Sequence, residues 1–143
     1  VSGDNYPTDE WILSIFDGWF DPCPLDPNPI IDALDHSFSW GEVHERIFIN
    51  PPYSNPLPWV ERAIYEIKNH DCTIVMLLKH DTSTKWFSKL HEAGARFLLV
   101  NGRLKHRTTK AAPFPSVLAV LSSYDADRNF TFANLKERTL DEY

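Results

Sequence analysis

Asn50, Pro51, Pro52 and Tyr53 follow the apolar run Ile47, Phe48 and Ile49, which reads as the end of a buried strand. An amide, two stiffening prolines and an aromatic ring at a strand's carboxyl end suit a planar group that carries an exocyclic amine. The amide oxygen of Asn50 and the backbone carbonyl of Pro51 can each accept one N–H of an NH2 group, while Tyr53 offers a face to stack on. That is the geometry needed to methylate an amino nitrogen. A chance Asn-Pro-Pro turn is the plain alternative, but here the motif sits after a β-like run and before a helical one.

A second group of chemically useful residues is cationic. Arg103, Lys105, Arg107 and Lys110, with His106 among them, place four of the chain's 14 Lys and Arg residues in eight positions. This is either a solvated hairpin turn or a phosphate-facing patch. The formal net charge is −6, so a nucleic-acid binder of this composition must concentrate its positive charge locally. The two cysteines, Cys23 and Cys72, lie far apart without metal-ligand spacing, and we expect free thiols and no structural metal. No apolar stretch approaches the roughly 20 residues of a membrane span, and no signal-peptide pattern opens the chain. A cytoplasmic location is the expectation.

These groups need a scaffold, and 143 residues predict one domain over 1–143 without a separate recognition domain. Thr8, followed by Asp9 and Glu10, reads as a helix N-cap. Trp11, Ile12, Ile15 and Phe16 then recur at helical spacing, predicting a helix from about Asp9 to Asp17. Trp19 to Asp21 resembles a short strand stopped by Pro22, and Pro24, Pro27 and Pro29 forbid regular structure beyond it. Residues 30–45 carry few signals apart from Trp40-Gly41. Arg46 to Ile49 is a compact strand that delivers Asn50, and a helix follows from about Leu57 to Lys68 with Trp59, Ala63, Ile64 and Ile67 on one face.

Thr73 to Leu78 is a continuous apolar run of the kind found in strands buried on both faces. Thr82 or Ser83 can cap a helix holding Trp86, Phe87 and Leu90, with Gly94 at its C′ position. Trp59 and Trp86 read as helix packing. Phe97 to Val100 and Val117 to Leu121 are two more strands. The pattern predicts a three-layer α/β sheet of about five strands ending in a hairpin-like pair. Residues 122–143 form a C-terminal extension that is an added strand and helix or a subunit contact. Ligands of such open sheets bind at the strands' carboxyl ends. Pro22-Cys23, Asn50 to Tyr53 and Lys79 to Thr82 converge there, and Lys79, His80 and Asp81 either touch a ligand or form an ordinary polar loop.

Taken together, Asn50-Pro51-Pro52-Tyr53-Ser54, the upstream Phe20-Asp21-Pro22-Cys23-Pro24, and the downstream Gly102-Arg103-Leu104-Lys105 with Pro113-Phe114-Pro115-Ser116 resemble the phage-type, Dam-like DNA N6-adenine methyltransferases. The resemblance runs from about Tyr6 to Leu121. It implies a reduced Rossmann-like methyltransferase fold with helices on both faces, S-adenosylmethionine (SAM) as cofactor, and methylation of adenine N6 in DNA. Asn50 and the Pro51 carbonyl, with Pro52 and Tyr53 completing the catalytic set, would hold N6 of a flipped adenine and draw its lone pair out of the ring. Direct in-line transfer needs no covalent enzyme intermediate. Tyr53 would stack on the base, with Ser54 beside it on the DNA side.

The same resemblance places Tyr6, Pro7 and Thr8 before the first helix, with Thr8 and the helix N-terminus receiving the methionine carboxylate; Thr8 as a simple cap is the alternative. It sets Asp21 toward the ammonium and ribose end of the cofactor, with Pro22 and Cys23 lining the pocket and Asn50 beside it. Asp32 or Asp35 would bind the ribose hydroxyls or be solvated loop acids. No glycine-rich turn follows the first strand, and the chain has five glycines in all, so a proline-fixed loop must bring the backbone close to SAM. Arg103, Lys105, His106, Arg107 and Lys110 would face DNA, with Phe114 or His106 as the second stacking surface. Competing readings are RNA adenine or cytosine-N4 methylation, methylation of a protein glutamine, and a non-catalytic partner subunit. A homodimer or an accessory specificity subunit would supply target selection.

Overall fold

Side chains alternate across a strand, and in the two longest strands nearly every position is apolar on both sides, so both faces of the sheet must be covered. The computed structural model describes residues 8–23, 34–35, 39–104, 114–123 and 134–135. Strands β1 (Arg46–Ile49), β2 (Thr73–Lys79), β3 (Arg96–Val100), β4 (Ser116–Ser122) and the two-residue β5 (Asn134–Leu135) form one sheet in the order β1-β2-β4-β3-β5. β1 runs parallel to β2 and β3 parallel to β5, while β4 is antiparallel to both β2 and β3. All strands but β4 therefore point the same way. The crossover from β2 to β3 skips one position, and β4 fills it from the opposite direction, in register from Thr73↔Ser122 to Lys79↔Ser116.

Among the described residues, four helices cover the sheet: α1 (Glu10–Ile15), α2 (Trp40–Val43), α3 (Leu57–Asn69) and α4 (Lys85–Glu92). Trp40, Val60, Ala63, Trp86 and Leu90 from α2, α3 and α4 pack with Ile47, Met76 and Ala119 on one face. On the other, Ile12 of α1 packs with Phe48, Leu77 and Leu118. This is the expected α/β sheet with helices on both faces. Among the described residues, no helix is long and apolar enough to cross a membrane.

Local chemistry explains most boundaries. Pro51 and Pro52 lack the N–H that would continue the β1 ladder, and Pro58 sits in the first turn of α3, where a missing N–H costs nothing. Gly94 takes φ 84° after α4, as the C′ reading requires. The α4 cap is Thr84, whose hydroxyl accepts from the Phe87 N–H at 3.3 Å, and not Thr82 or Ser83. Asp81 decides this: its carboxylate engages the Ser83 N–H and hydroxyl, which holds Ser83 in the preceding turn.

Other expectations shift. The first helix is shorter than predicted, Asp9 occupies its N-cap position, and no side chain makes a cap hydrogen bond. Ile15 is 52% exposed, because a helix of six residues lays one narrow stripe on the sheet. Trp19 to Asp21 contributes a single parallel bridge, Phe20↔Ile47, in place of a strand. On α3 the fully buried positions are Val60, Arg62, Ala63 and Glu66, with Trp59, Ile64 and Ile67 at the margin.

Gly41 shows how closely α2 approaches the start of β2. A Cβ there would stand 2.8 Å from His70 Cβ and 2.9 Å from Cys72 Sγ. We expect Gly41→Ala to destabilise the fold by about 1–3 kcal/mol. Chemical denaturation of the two proteins side by side checks this, and an unchanged midpoint would refute it.

Candidate active site

Because β1, β2 and β3 are parallel, the segments that leave them emerge on one edge of the sheet, and β4 begins at that edge because it runs the other way. Asn50–Tyr53 after β1, Lys79–Asp81 at the end of β2, Asn101–Leu104 after β3 and Phe114–Ser116 at the start of β4 thus share an edge. Asp21–Cys23 joins them: Phe20 is tied beside β1 by its N–H to Arg46 O at 3.0 Å and by the Phe48 N–H to its own carbonyl at 2.9 Å.

At the centre, Asn50 Nδ2 donates to Thr8 Oγ1 at 2.9 Å. Asn50 Oδ1 is a buried acceptor, and Pro51 is buried as well. The rings of Tyr53 and Phe114 meet edge to face, with centroids 4.6 Å apart and planes at 60°. The structure therefore brings Thr8, Asn50, Tyr53 and Phe114 to one place, although they come from three parts of the chain. Pro52 is half-buried and Ser54 exposed on the same turn. Ser116, next to Phe114, is buried, and its Oγ has no hydrogen-bond partner among the described residues.

Asp21 accepts the Cys23 N–H at 2.8 Å, which fixes the turn through Pro22. The residue is exposed as a whole, yet protein crowded around the carboxyl raises it above the ordinary carboxylate value, against the lowering by the Cys23 N–H. Burial, together with the Asp21 charge, pushes the Cys23 thiol up to about 12, so this cysteine stays protonated and is no nucleophile.

The end of β2 is occupied with its neighbours. Lys79 Nζ lies 3.7 Å from Asp81, whose carboxyl is held below its usual value first by the Ser83 hydroxyl. His80 donates its backbone N–H to Pro115 O at 2.9 Å and stacks over Phe87. After β3 the chain turns at Gly102, whose φ of 79° favours glycine. Arg103 is exposed there, while Leu104 is buried against the α1 side. Tyr6, Pro7, Asp32, Lys105, His106, Arg107 and Lys110 lie outside the described residues.

Sequence reasoning missed two things. Nothing local to Thr8 or Asn50 reveals that they meet across 42 positions. It also missed the buried pair Arg62 and Glu66, joined at 2.7 Å, for which the i,i+4 spacing was the available signal.

Residues 30–140 match the family described as DNA N-6-adenine-methyltransferase (Dam). The chain belongs to this Dam family. The matched span contains the whole sheet and the Asn50–Tyr53 turn, and it starts beyond Thr8, α1 and Asp21. Among curated relatives, a DNA N-6-adenine-methyltransferase of Haemophilus phage HP1 (strain HP1c1) is 62% identical over 40 residues, covering 28% of this chain and 23% of the relative. Another of that name, from Escherichia phage T1, is 35% identical over 65 residues, covering 46% of this chain and 26% of the relative. The chain thus spans about a quarter of the length of these Dam relatives. No solved structure matches it significantly.

Proposed function

We propose that this Dam-family chain is a DNA adenine-N6 methyltransferase that acts on a base flipped out of the duplex. The observation that carries the reading is the Asn50 amide at the end of β1, hydrogen-bonded through Nδ2 to Thr8, beside the Tyr53–Phe114 ring pair. Asn50 Oδ1 and the Pro51 carbonyl accept the two N–H groups of the amine. This draws the nitrogen lone pair out of conjugation with the ring and turns it toward the cofactor side. Tyr53 holds one face of the base. Membership of the Dam family favours adenine in DNA over an RNA base or a protein glutamine.

S-adenosylmethionine, when bound, supplies the methyl group as an activated sulfonium. The residues at the neighbouring strand end fit such a group: Asp21 offers a carboxylate to its ammonium or ribose hydroxyls, and the buried Pro22 fixes that turn one strand position from Asn50. The parallel frame with helices on both faces supports the finer reading of a reduced Rossmann-like methyltransferase fold. Arg103 and the cationic segment after it supply phosphate contacts, and a second copy or an accessory subunit supplies target choice.

Incubation with methyl-labelled SAM and either adenine-containing or adenine-free duplexes tests the proposal. Label is expected in adenine-containing DNA alone, recovered as N6-methyladenine after digestion. Absence of transfer, or equal label in both duplexes, would overturn it.

A further inference from the structure

We propose that the Ser116 hydroxyl is a further recognition group of the base pocket, donating a hydrogen bond to a ring nitrogen of the flipped adenine. The inference rests on the amine-methylating reading of Asn50 and names a contact at the far side of the same base. Ser116 is 1% exposed, and its Oγ is buried without a hydrogen-bond partner among the described residues. The positions that follow it, Val117, Leu118 and Ala119, are buried and apolar. Burying a hydroxyl in such surroundings without a partner costs free energy, and alanine would fill the position without that cost. The other end of β4 follows the ordinary rule. Ser122 Oγ lies 3.0 Å from Thr73 Oγ1, and Ser123 Oγ accepts the Cys72 N–H at 2.9 Å.

Alternation along β4 fixes the direction of the Ser116 side chain. Leu118 lies in the core cluster with Phe48 and Ile12 of α1, whereas Val117 and Ala119 belong to the opposite face. Ser116, two positions before Leu118, therefore points to the α1 face. Asn50 is on that face too, since its amide reaches Thr8 just ahead of α1. Ser116 pairs with Lys79, the last residue of β2, and so stands at the carboxyl edge; the Lys79 ammonium turns instead to Asp81 at 3.7 Å. In the order β1-β2-β4, Ser116 is two strands from Asn50, on the order of 10 Å across the sheet. That is the scale of a base with its amine at one end, a ring nitrogen at the other and a hydrogen bond of about 3 Å beyond each. The Tyr53–Phe114 pair bridges the same gap, with Tyr53 three residues past Asn50 and Phe114 two before Ser116. Adenine ring nitrogens are acceptors, and a hydroxyl rotates to donate to whichever one faces it.

The test pairs Ser116→Ala with duplexes whose adenines carry carbon in place of N1, N3 or N7. On ordinary adenine the variant should lose about 10-fold in kcat/KM, with SAM affinity by calorimetry unchanged. On one of the three analogues that loss should vanish, which identifies the nitrogen. Each comparison is made on a single base, so the analogue's own change in amine reactivity cancels. Thermal melts without DNA should show Ser116→Ala at least as stable as wild type, the sign expected when an unpartnered buried hydroxyl is removed.

A lower Tm or misfolding of Ser116→Ala would show that the hydroxyl serves the fold and would overturn the proposal. Unchanged kcat/KM, or a loss of equal size on all four bases, would do the same. Weaker SAM binding would overturn it by moving Ser116 to the cofactor. In each of these cases an active wild type and an inactive Asn50→Ala leave the amine-pocket reading standing. An inactive wild type removes both.

Discussion

Glu66→Ala is expected to lower stability by about 3–5 kcal/mol, a large share of the roughly 5–15 kcal/mol that holds a domain together. The Glu66 side chain is fully buried and that of Arg62 is 2% exposed, with Nε and Oε2 2.7 Å apart. Glu66 Oε1 accepts the Ser39 hydroxyl at 2.7 Å and the Gly41 N–H at 2.8 Å. Arg62 reaches Asp35 O at 3.4 Å and lies 5.1 Å from the centroid of a Trp40 ring. One carboxylate therefore clasps α2 and the segment before it to α3. Its removal leaves a buried guanidinium, a hydroxyl and a backbone N–H without their acceptor.

The same carboxylate gives the fold an acid limit. Burial alone would raise its pKa, but the Gly41 N–H, the Ser39 hydroxyl and the Arg62 guanidinium outweigh burial and hold it below the ordinary value. Between the folded value and the ordinary glutamate value near 4.3, the unfolded chain binds the proton and the folded chain does not. Stability contributed by Glu66 is thus complete above the unfolded value and is lost as pH falls through the folded one. Thermal melts should show Tm roughly 10 °C lower for Glu66→Ala at pH 7, with the gap to wild type closing in acid. A gap that is absent at pH 7 would show that the clasp contributes little. Replacing both Arg62 and Glu66 by leucine should restore much of the loss, since buried pairs often exchange for apolar residues at little cost.

Asn50→Ala should reduce methyl transfer by on the order of 10²–10³-fold, the usual cost of deleting one polar group that acts on the reacting centre. The fold should survive, because Asn50 lies just past β1, outside the strand ladder. The loss should fall mainly on kcat, because holding the amine lone pair out of conjugation matters most in the transition state. Single-turnover rates with labelled SAM, measured beside SAM affinity, provide the check. Transfer by Asn50→Ala within a few-fold of wild type would remove the amide from the chemistry.

What sequence could reveal follows the range of the interactions. The apolar run ahead of Asn50, the stretch Thr73–Leu78 and the Gly94 stop are local patterns, and each is found where its pattern placed it. Among the hydroxyls at 82–84, the choice of cap depends on Asp81 and could not be read from cap propensity alone. α2 has four residues, too few for a period to show. The insertion of β4 between β2 and β3 depends on pairing between distant segments. Arg62 and Glu66 look like a solvent-facing pair until Ser39 and Gly41 close over them.

If, as proposed, Tyr53 and Phe114 flank the target base, their contact carries a consequence for substrate selection. A base sandwiched between two rings needs about 7 Å, two layers at about 3.5 Å each, and the centroids stand 4.6 Å apart. The rings must part before a base enters, so capture exchanges one aromatic contact of about 0.5–1.5 kcal/mol for stacking of about 1–3 kcal/mol per base. That balance runs downhill for an adenine already unpaired and close to level for one that must first be pulled from the duplex stack. On that reading the resting ring pair would act as a threshold: a mismatched or frayed adenine should be methylated faster than a paired one, and equal rates on the two duplexes would show that the rings set no such barrier.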